Sequence, residues 1–267
     1  MLPATYLFVP GDRPERFRKA LASGADMVVL DLEDAVAPDS KASAREHVAR
    51  ALAADGIRAC VRINGSESRW FAEDCRLLTL PGVSAVMLPK AEDTHSLAQV
   101  RSALDDATAL IPVVETARGL AAATTLAACA SVQRLAFGSV DFQLDLGIEG
   151  DDAELLFARS HLVLASRLAG IDAPVDGVTL DATDAAQASR DALRARRLGF
   201  GGKLCIHPAQ VGPVKAAFMP DARSLAWASG VVDAARNHDS GAFTYEGRLV
   251  DKPVIDRARA ILGRQGP

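Results

Sequence analysis

The stretches Leu110–Thr116 (LIPVVET) and Arg134–Phe142 (RLAFGSVDF) are two consecutive apolar runs, each ending on a carboxylate, Glu115 and Asp141. One Ala-rich stretch of helical character lies between them, the spacing of a single αβ unit. If the two strands pair in parallel, both carboxylates project from the same sheet edge, a few ångströms apart. Two hard oxygen ligands on a rigid edge, with room left for water and substrate, suit Mg²⁺. Without a cation, two carboxylates that close repel and one is driven toward its neutral form. The plainer reading makes them rim carboxylates bonded to Arg62 or Lys90.

The same pattern repeats along the chain. Short apolar runs occur at 5–10, 27–33, 59–64, 85–90, 110–115, 134–141, 174–180 and 202–207, separated by amphipathic Ala/Arg/Glu-rich segments. Runs without polar alternation suit strands covered on both faces. Eight β/α units predict an α/β protein, a (β/α)₈ TIM barrel over residues 1–210. Residues 211–267 are left for a C-terminal helical extension and flap. A doubly wound sheet would place a Gly-rich phosphate loop after the first strand, and PGDRPER (Pro10–Arg16) is not GxGxxG.

Barrel chemistry sits where strands end. The strand ends here carry Asp31, Glu33, Asp34, Arg62, Asn64, Lys90, Glu115, Asp141, Asp176 and His207. Nearly every strand delivers a polar group to one rim, as an active site does. Arg62 reads as a substrate-oxygen ligand or as an ion pair with Glu33 or Asp34. Strand alternation puts Asp31 and Glu33 on one face, where at least one orients Arg62 or metal-bound water. Lys90 reads as a Schiff-base lysine or as structural support. His207 reads equally as a structural histidine and as a site group. Asp12, Pro14 and Glu15 read as a capping box opening the first helix. Just beyond, Arg13, Arg16 and Lys19 gather at that helix N-terminus. They form either an anion site or a solvated basic face.

Composition narrows the classes. The chain has 267 residues and a net charge of −4, which gives no support to nucleic-acid binding. No run approaches the length of a membrane span. The N-terminus has no basic region followed by an apolar core, so it does not read as a signal peptide. Four cysteines without a CxxC pair fit free thiols in a cytoplasmic protein.

In order along the chain stand LFVPGDRPERFRKA, VVLDLEDAVAPDSKASAR, VRING, VMLPKAE, ETARGL, LAFGSVDFQLDLG and GFGGKLCIHPAQV. Together they resemble the HpcH/HpaI aldolase–citrate lyase superfamily, most of all its citrate lyase β-subunit-like branch with the malyl-, citramalyl- and citryl-CoA lyases. The resemblance implies Mg²⁺ on Glu115 and Asp141. It implies Arg62 on substrate oxygens, and Arg13, Arg16 and Lys19 near coenzyme A phosphates. It also implies that Asp251, in GRLVDKPVIDRAR, reaches a neighbouring subunit's site within a trimer or hexamer. The implied reaction splits a 3-hydroxyacyl-CoA into acetyl-CoA and a 2-oxo acid. Beside Arg62 and Asp251, Glu33 and Asp34 stand as candidate catalytic residues and Lys90 as a candidate substrate-binding residue. On the residues alone, Asp251 reads as a cap of the last helix. Two further readings stay open: a 4-hydroxy-2-oxo acid aldolase without CoA, and a subunit acting on a carrier-protein-bound substrate. The chain is shorter than typical citrate lyase β subunits, which implies shorter loops.

Overall fold

A computed structural model describes residues 2–105, 107–238 and 241–263. Eight strands close into a parallel barrel in sequence order. They are β1 (Thr5–Pro10), β2 (Met27–Asp31), β3 (Ala59–Arg62), β4 (Val83–Leu88), β5 (Ala109–Val114), β6 (Ala136–Phe137), β7 (Val175–Asp176) and β8 (Gly202–Cys205). Closure is made by β8 returning to β1, with Thr5 opposite Lys203 and Leu7 opposite Cys205.

Alternation along each strand divides the apolar residues between two cores. Tyr6, Val29, Cys60, Met87, Ile111, Val113 and Leu204 fill the barrel interior. Leu7, Val9, Leu30, Val61, Val86, Leu110 and Val114 pack outward against the helices. The helix after β2 (Lys41–Ala53) buries Ala44, Val48, Ala51 and Leu52, the i, i+4, i+7, i+8 stripe of a helix lying on a sheet. Side chains of Asp93, Thr116 and Asp184 accept the first free amides of the helices they open. Gly170 and Gly199 end two of the helices in left-handed conformation.

The barrel's last helix, Pro208–Phe218, follows β8 and packs on β1 and β8. Beyond it, helices Ala222–Arg236 and Lys252–Leu262 flank a small antiparallel hairpin, Phe243–Tyr245 with Arg248–Val250. These elements share their own apolar cluster around Ala228, Val231, Val250 and Ala258. No helix among the described residues is long and apolar enough to cross a membrane.

Three expectations are corrected here. The run Arg134–Asp141 is not strand to its end: β6 stops at Phe137 and Asp141 lies in the first turn of helix Ser139–Leu146. The run Pro174–Leu180 yields only Val175–Asp176 as strand. The capping box at Asp12 does not form. A 3₁₀ turn occupies Pro14–Arg16, and the regular helix begins only at Phe17. Asp12 therefore lies too far upstream to cap it, and its Oδ1 is buried without a hydrogen bond.

Candidate active site

Inward parity carries polar residues into the barrel mouth. Asp31 follows Val29, Arg62 follows Cys60, and Glu115 follows Ile111 and Val113 on the interior face. There they line a cavity of about 240 Å³ together with Asp141, Ser139, Phe8 and Val178.

Arg62 is held by two carboxylates. Its Nε and one terminal nitrogen donate to the two oxygens of Asp31 at 2.7 and 2.6 Å, a planar fork. Its other terminal nitrogen lies 2.9 Å from Glu33 Oε2. The guanidinium stacks 4.7 Å from the Phe8 ring centroid. Asp31 is fully buried and also accepts the Glu33 amide at 2.9 Å, so the acid that aims Arg62 is itself fixed. These neighbouring carboxylates, Asp31 foremost, outweigh burial and hold Arg62 firmly protonated.

Glu115 is buried, 3% exposed, and accepts the Lys90 amide on Oε1 at 2.7 Å. Lys90 adopts φ +50°, a left-handed conformation uncommon for a residue with a side chain. That turn directs the amide at Glu115, while the ammonium stays half-exposed, 3.9 Å from Glu33. Burial, then the charges of Glu33 and Asp141, push the Glu115 carboxyl up to about 8. Burial likewise pushes Glu33 up to about 7, with Arg62 opposing.

Asp141, half-buried, reaches the same cavity from the first turn of its helix, where the dipole favours an anion. The donor set fits Mg²⁺: two carboxylates face one cavity with open positions for water or substrate oxygens. Among the described residues no group of three metal-ligating side chains forms a closed cage.

Gly138 makes the Glu115 seat possible. A Cβ there would collide with Glu115 Oε2 and lie 2.5 Å from Glu115 Cβ. Gly138→Ala is therefore expected to expel the carboxylate from its position. Activity should fall at least about tenfold, and Tm by a few degrees, at the 1–3 kcal/mol typical of overpacking. Wild-type kinetics in Gly138→Ala would mean that the seat is not needed.

A buried network behind the rim went unread in the sequence. Lys41 Nζ donates to the Leu32 and Glu33 carbonyls at 2.7 Å each and to Asn64 Oδ1 at 2.8 Å. Asn64 in turn donates to Asp74 at 2.6 Å, and Arg45 closes the other side of Asp74 at 2.9 Å. The network ties the loop after β2 to the end of β3, on either side of Arg62. The sequence signal was Lys41 itself, a cation at a position that the helical stripe buries.

Other residues fall elsewhere. Asp34 is exposed and lines a neighbouring cleft of about 580 Å³ beside Lys41, Trp70 and Lys90. Asp176 does not reach the mouth. It is fully buried and pairs with Arg159 at 3.0 Å, because β7 ends there and its side chain turns toward the helices. Arg16 and Lys19 line a separate groove of about 350 Å³ with His207. Arg13 stands apart from that groove, exposed, 3.9 Å from Asp12. The helix beside them, Phe17–Leu21, is only five residues long and contains Lys19 itself, so its dipole contributes little and the cations themselves must attract an anion. His207 caps the last barrel helix, its Nδ1 accepting the Ala209 amide at 3.2 Å. Asp251 caps the final helix, accepting the Val254 amide at 3.3 Å.

A sequence profile described as HpcH/HpaI aldolase/citrate lyase matches residues 4–208. A citrate lyase subunit beta-like protein of Mycobacterium tuberculosis is 38% identical over 98% of this chain and 95% of its own. The mitochondrial citramalyl-CoA lyase of Rattus norvegicus is 32% identical over 96% of this chain and 84% of its own. Among solved structures, M. tuberculosis CitE with magnesium, acetoacetate and coenzyme A superposes with a TM-score of 0.87 at 36% identity, covering 98% of this chain and 97% of that one. Another structure from that organism, a citrate lyase beta subunit with oxaloacetate and magnesium, has a TM-score of 0.72 at 35% identity, covering 82% and 97%.

Proposed function

Given that the chain belongs to the HpcH/HpaI aldolase/citrate lyase family, we propose that it is a Mg²⁺-dependent carbon–carbon lyase. Its substrate is a 3-hydroxyacyl-CoA of the citryl, malyl or citramalyl type, split into acetyl-CoA and a 2-oxo acid. The observation that carries this reading is Arg62, locked by Asp31 and Glu33 beside the Glu115–Asp141 pair in one cavity.

The chemistry balances without a covalent nucleophile. The substrate hydroxyl gives its proton to a base, and the Cα–Cβ bond breaks. The hydroxyl carbon becomes the oxo carbonyl, and the electron pair stays on the thioester fragment as an enolate. A proton then returns to the α-carbon of that enolate to give acetyl-CoA. The costly feature is negative charge on the thioester oxygen, which the fixed guanidinium of Arg62 stabilises without reorganising. Mg²⁺ on Glu115 and Asp141 would supply Lewis-acid polarisation of the oxo-acid oxygens. Asp251 of an adjacent subunit serves as the acid–base group, which makes the active unit an oligomer, a trimer or hexamer. The segment beyond the barrel's last helix, from Ala222 onward rather than from residue 211, forms the extension that carries it. Free thiols at Cys60, Cys75, Cys129 and Cys205 accord with a cytoplasmic location.

The test is a panel of the three thioesters with Mg²⁺, followed by acetyl-CoA release, with EDTA as control. No cleavage of any, or full activity in EDTA, sinks the reading.

Two expectations follow for residues outside the cavity. Arg16 and Lys19 accept the CoA phosphates in their groove. Neutralising both as Gln should raise the KM for the thioester roughly tenfold or more, from the loss of charge-assisted bonds. Its salt dependence should flatten, while oxo-acid binding stays unchanged. Equal loss for both ligands would point to a packing defect instead. For Asp251, the check is subunit mixing. Asp251→Asn and Glu115→Gln proteins should each be inactive alone, and co-refolded mixtures should regain part of the activity. Demonstrably mixed oligomers that stay inactive would leave Asp251 as a helix cap.

A further inference from the structure

We propose that Asp145 is a positioning residue for the metal pair, whose hydrogen bond with the Ala117 amide sets the separation of Asp141 from Glu115. The inference rests on the reading that those two carboxylates hold the cation, and deepens it.

The two acids are not fixed in the same way. Glu115 stands just past β5 and accepts the Lys90 amide at 2.7 Å. The Asp141 carboxylate has no such partner among the described residues. Its place is therefore the place of its helix, Ser139–Leu146. Two hydrogen bonds tie that helix to the chain around Glu115. At its start, the Gly138 N–H donates to the Val114 carbonyl at 3.0 Å. In its last turn, Asp145 Oδ2 accepts the Ala117 N–H at 2.7 Å. Val114 and Ala117 flank Glu115, as Gly138 and Asp145 flank Asp141. The two bonds close a ring that contains both ligands. With the Gly138 bond alone, the helix can pivot and carry Asp141 toward or away from Glu115. The second bond removes that freedom. Other restraints on this segment point elsewhere. Gln143 donates to the Gly150 carbonyl at 3.0 Å, and Arg159 binds both Asp151 and Asp176. They fasten the following loop to the end of β7, not to β5.

Local preference does not explain Asp145. An acid in the last turn of its own helix faces the negative end of the dipole. That cost is offset at helix Ala117–Ala127, whose first amide Asp145 receives and whose positive end it faces. Yet that helix is already capped by Thr116, which accepts the Gly119 amide at 3.0 Å, so Asp145 is not needed to start it. What remains is spacing. Mg²⁺ requires near-ideal octahedral geometry, and groups that orient its ligands from behind weaken the metal about 10–100-fold when removed.

Mn²⁺ affinity, read by electron paramagnetic resonance on the full-length protein without substrate, tests this. Asp145→Ala should bind roughly tenfold or more weakly than wild type. Asp145→Asn, whose amide oxygen can still accept the Ala117 N–H, should recover to within about threefold. Ala117→Pro removes the donor instead, and decides the matter should Asp145→Ala not fold. Proline suits the first position of a helix, and the extended Thr116, φ −139° and ψ 162°, suits the residue before a proline. Its Tm in EDTA should therefore match wild type, while its Mn²⁺ affinity falls as in Asp145→Ala. A role in helix stability alone predicts the reverse, a lower Tm in Asp145→Ala with unchanged affinity in both. Combining the two changes should cost no more than either alone, because they break one bond. In turnover, half-maximal acetyl-CoA release should need correspondingly more Mg²⁺. Affinities within about twofold of wild type in Asp145→Ala and Ala117→Pro, or losses that multiply in the double variant, overturn the inference. Glu115→Gln separates that failure from failure of the premise. If it too keeps its Mn²⁺ affinity, the metal pair itself is wrong and the spacing role falls with it.

Discussion

Arg62→Lys is expected to lower kcat by about two orders of magnitude or more, the usual cost of removing one preorganised charge-stabilising donor. The substitution keeps the positive charge and loses the fork. Lysine has one nitrogen where arginine has three, and here two of those three are committed to Asp31 and the third to Glu33. A lysine ammonium in this space would satisfy Asp31 or the substrate, not both. Asp31 would then be a buried carboxylate short of a partner, so some loss of Tm accompanies the loss of rate. The two effects separate by temperature. Well below the variant's Tm, a structural role predicts normal turnover, whereas an enolate-stabilising role predicts that the deficit persists. Asp31→Asn supplies the complementary measurement. It leaves the guanidinium in place but unaimed, and kcat should fall more than KM rises. Turnover of Arg62→Lys within about threefold of wild type would make the arginine an ion-pair partner and nothing more.

The barrel was legible because its signal is repeated. Eight runs with helical spacers tolerate an error in any one of them, and parity along β2, β3 and β5 carries Asp31, Arg62 and Glu115 inward without reference to loops. Parity gives no guidance once the chain leaves the strand. Asp141 reaches the cavity from a helix turn four residues past β6, a geometry that an apolar run of nine residues conceals. Asp176 satisfied the same sequence rule as Glu115 and yet belongs to the buried Arg159 pair, because it faces the helices. Asn64 shows as a strand-end group and Lys41 as a cation on a buried helical stripe, but Lys41, Asn64 and Asp74 are far apart in sequence and touch only after closure, so nothing local marked their contact. The left-handed Lys90 is a third kind of omission. Its side chain attracted the reading, while in the fold its backbone amide contacts Glu115.

Removing either carboxylate of the Glu115–Asp141 pair should abolish activity without unfolding the protein. In Glu115→Gln the amide oxygen can still accept the Lys90 N–H, so the side chain keeps its place under Gly138. In Asp141→Asn the loss is one negative charge in the first turn of a helix, about 0.3–1 kcal/mol. Neither change is large enough to unfold a domain of this size. Without a divalent ion, Glu115→Gln should even be as stable as wild type or more so, because it relieves a buried carboxylate crowded by Glu33 and Asp141. Functional sites often carry such a cost in stability. The cation side of the comparison runs the other way. Among the described residues the other carboxylates at the mouth, Asp31 and Glu33, are engaged by Arg62 and cannot readily replace one lost, so affinity for Mg²⁺, or for Mn²⁺ read by electron paramagnetic resonance, should fall at least about 100-fold. The two measurements together are diagnostic: Tm in EDTA preserved or raised, cation affinity and acetyl-CoA release gone. Unchanged Mn²⁺ affinity in both variants would show that the pair is an ordinary set of rim carboxylates and that the cation, if one is used, is held elsewhere.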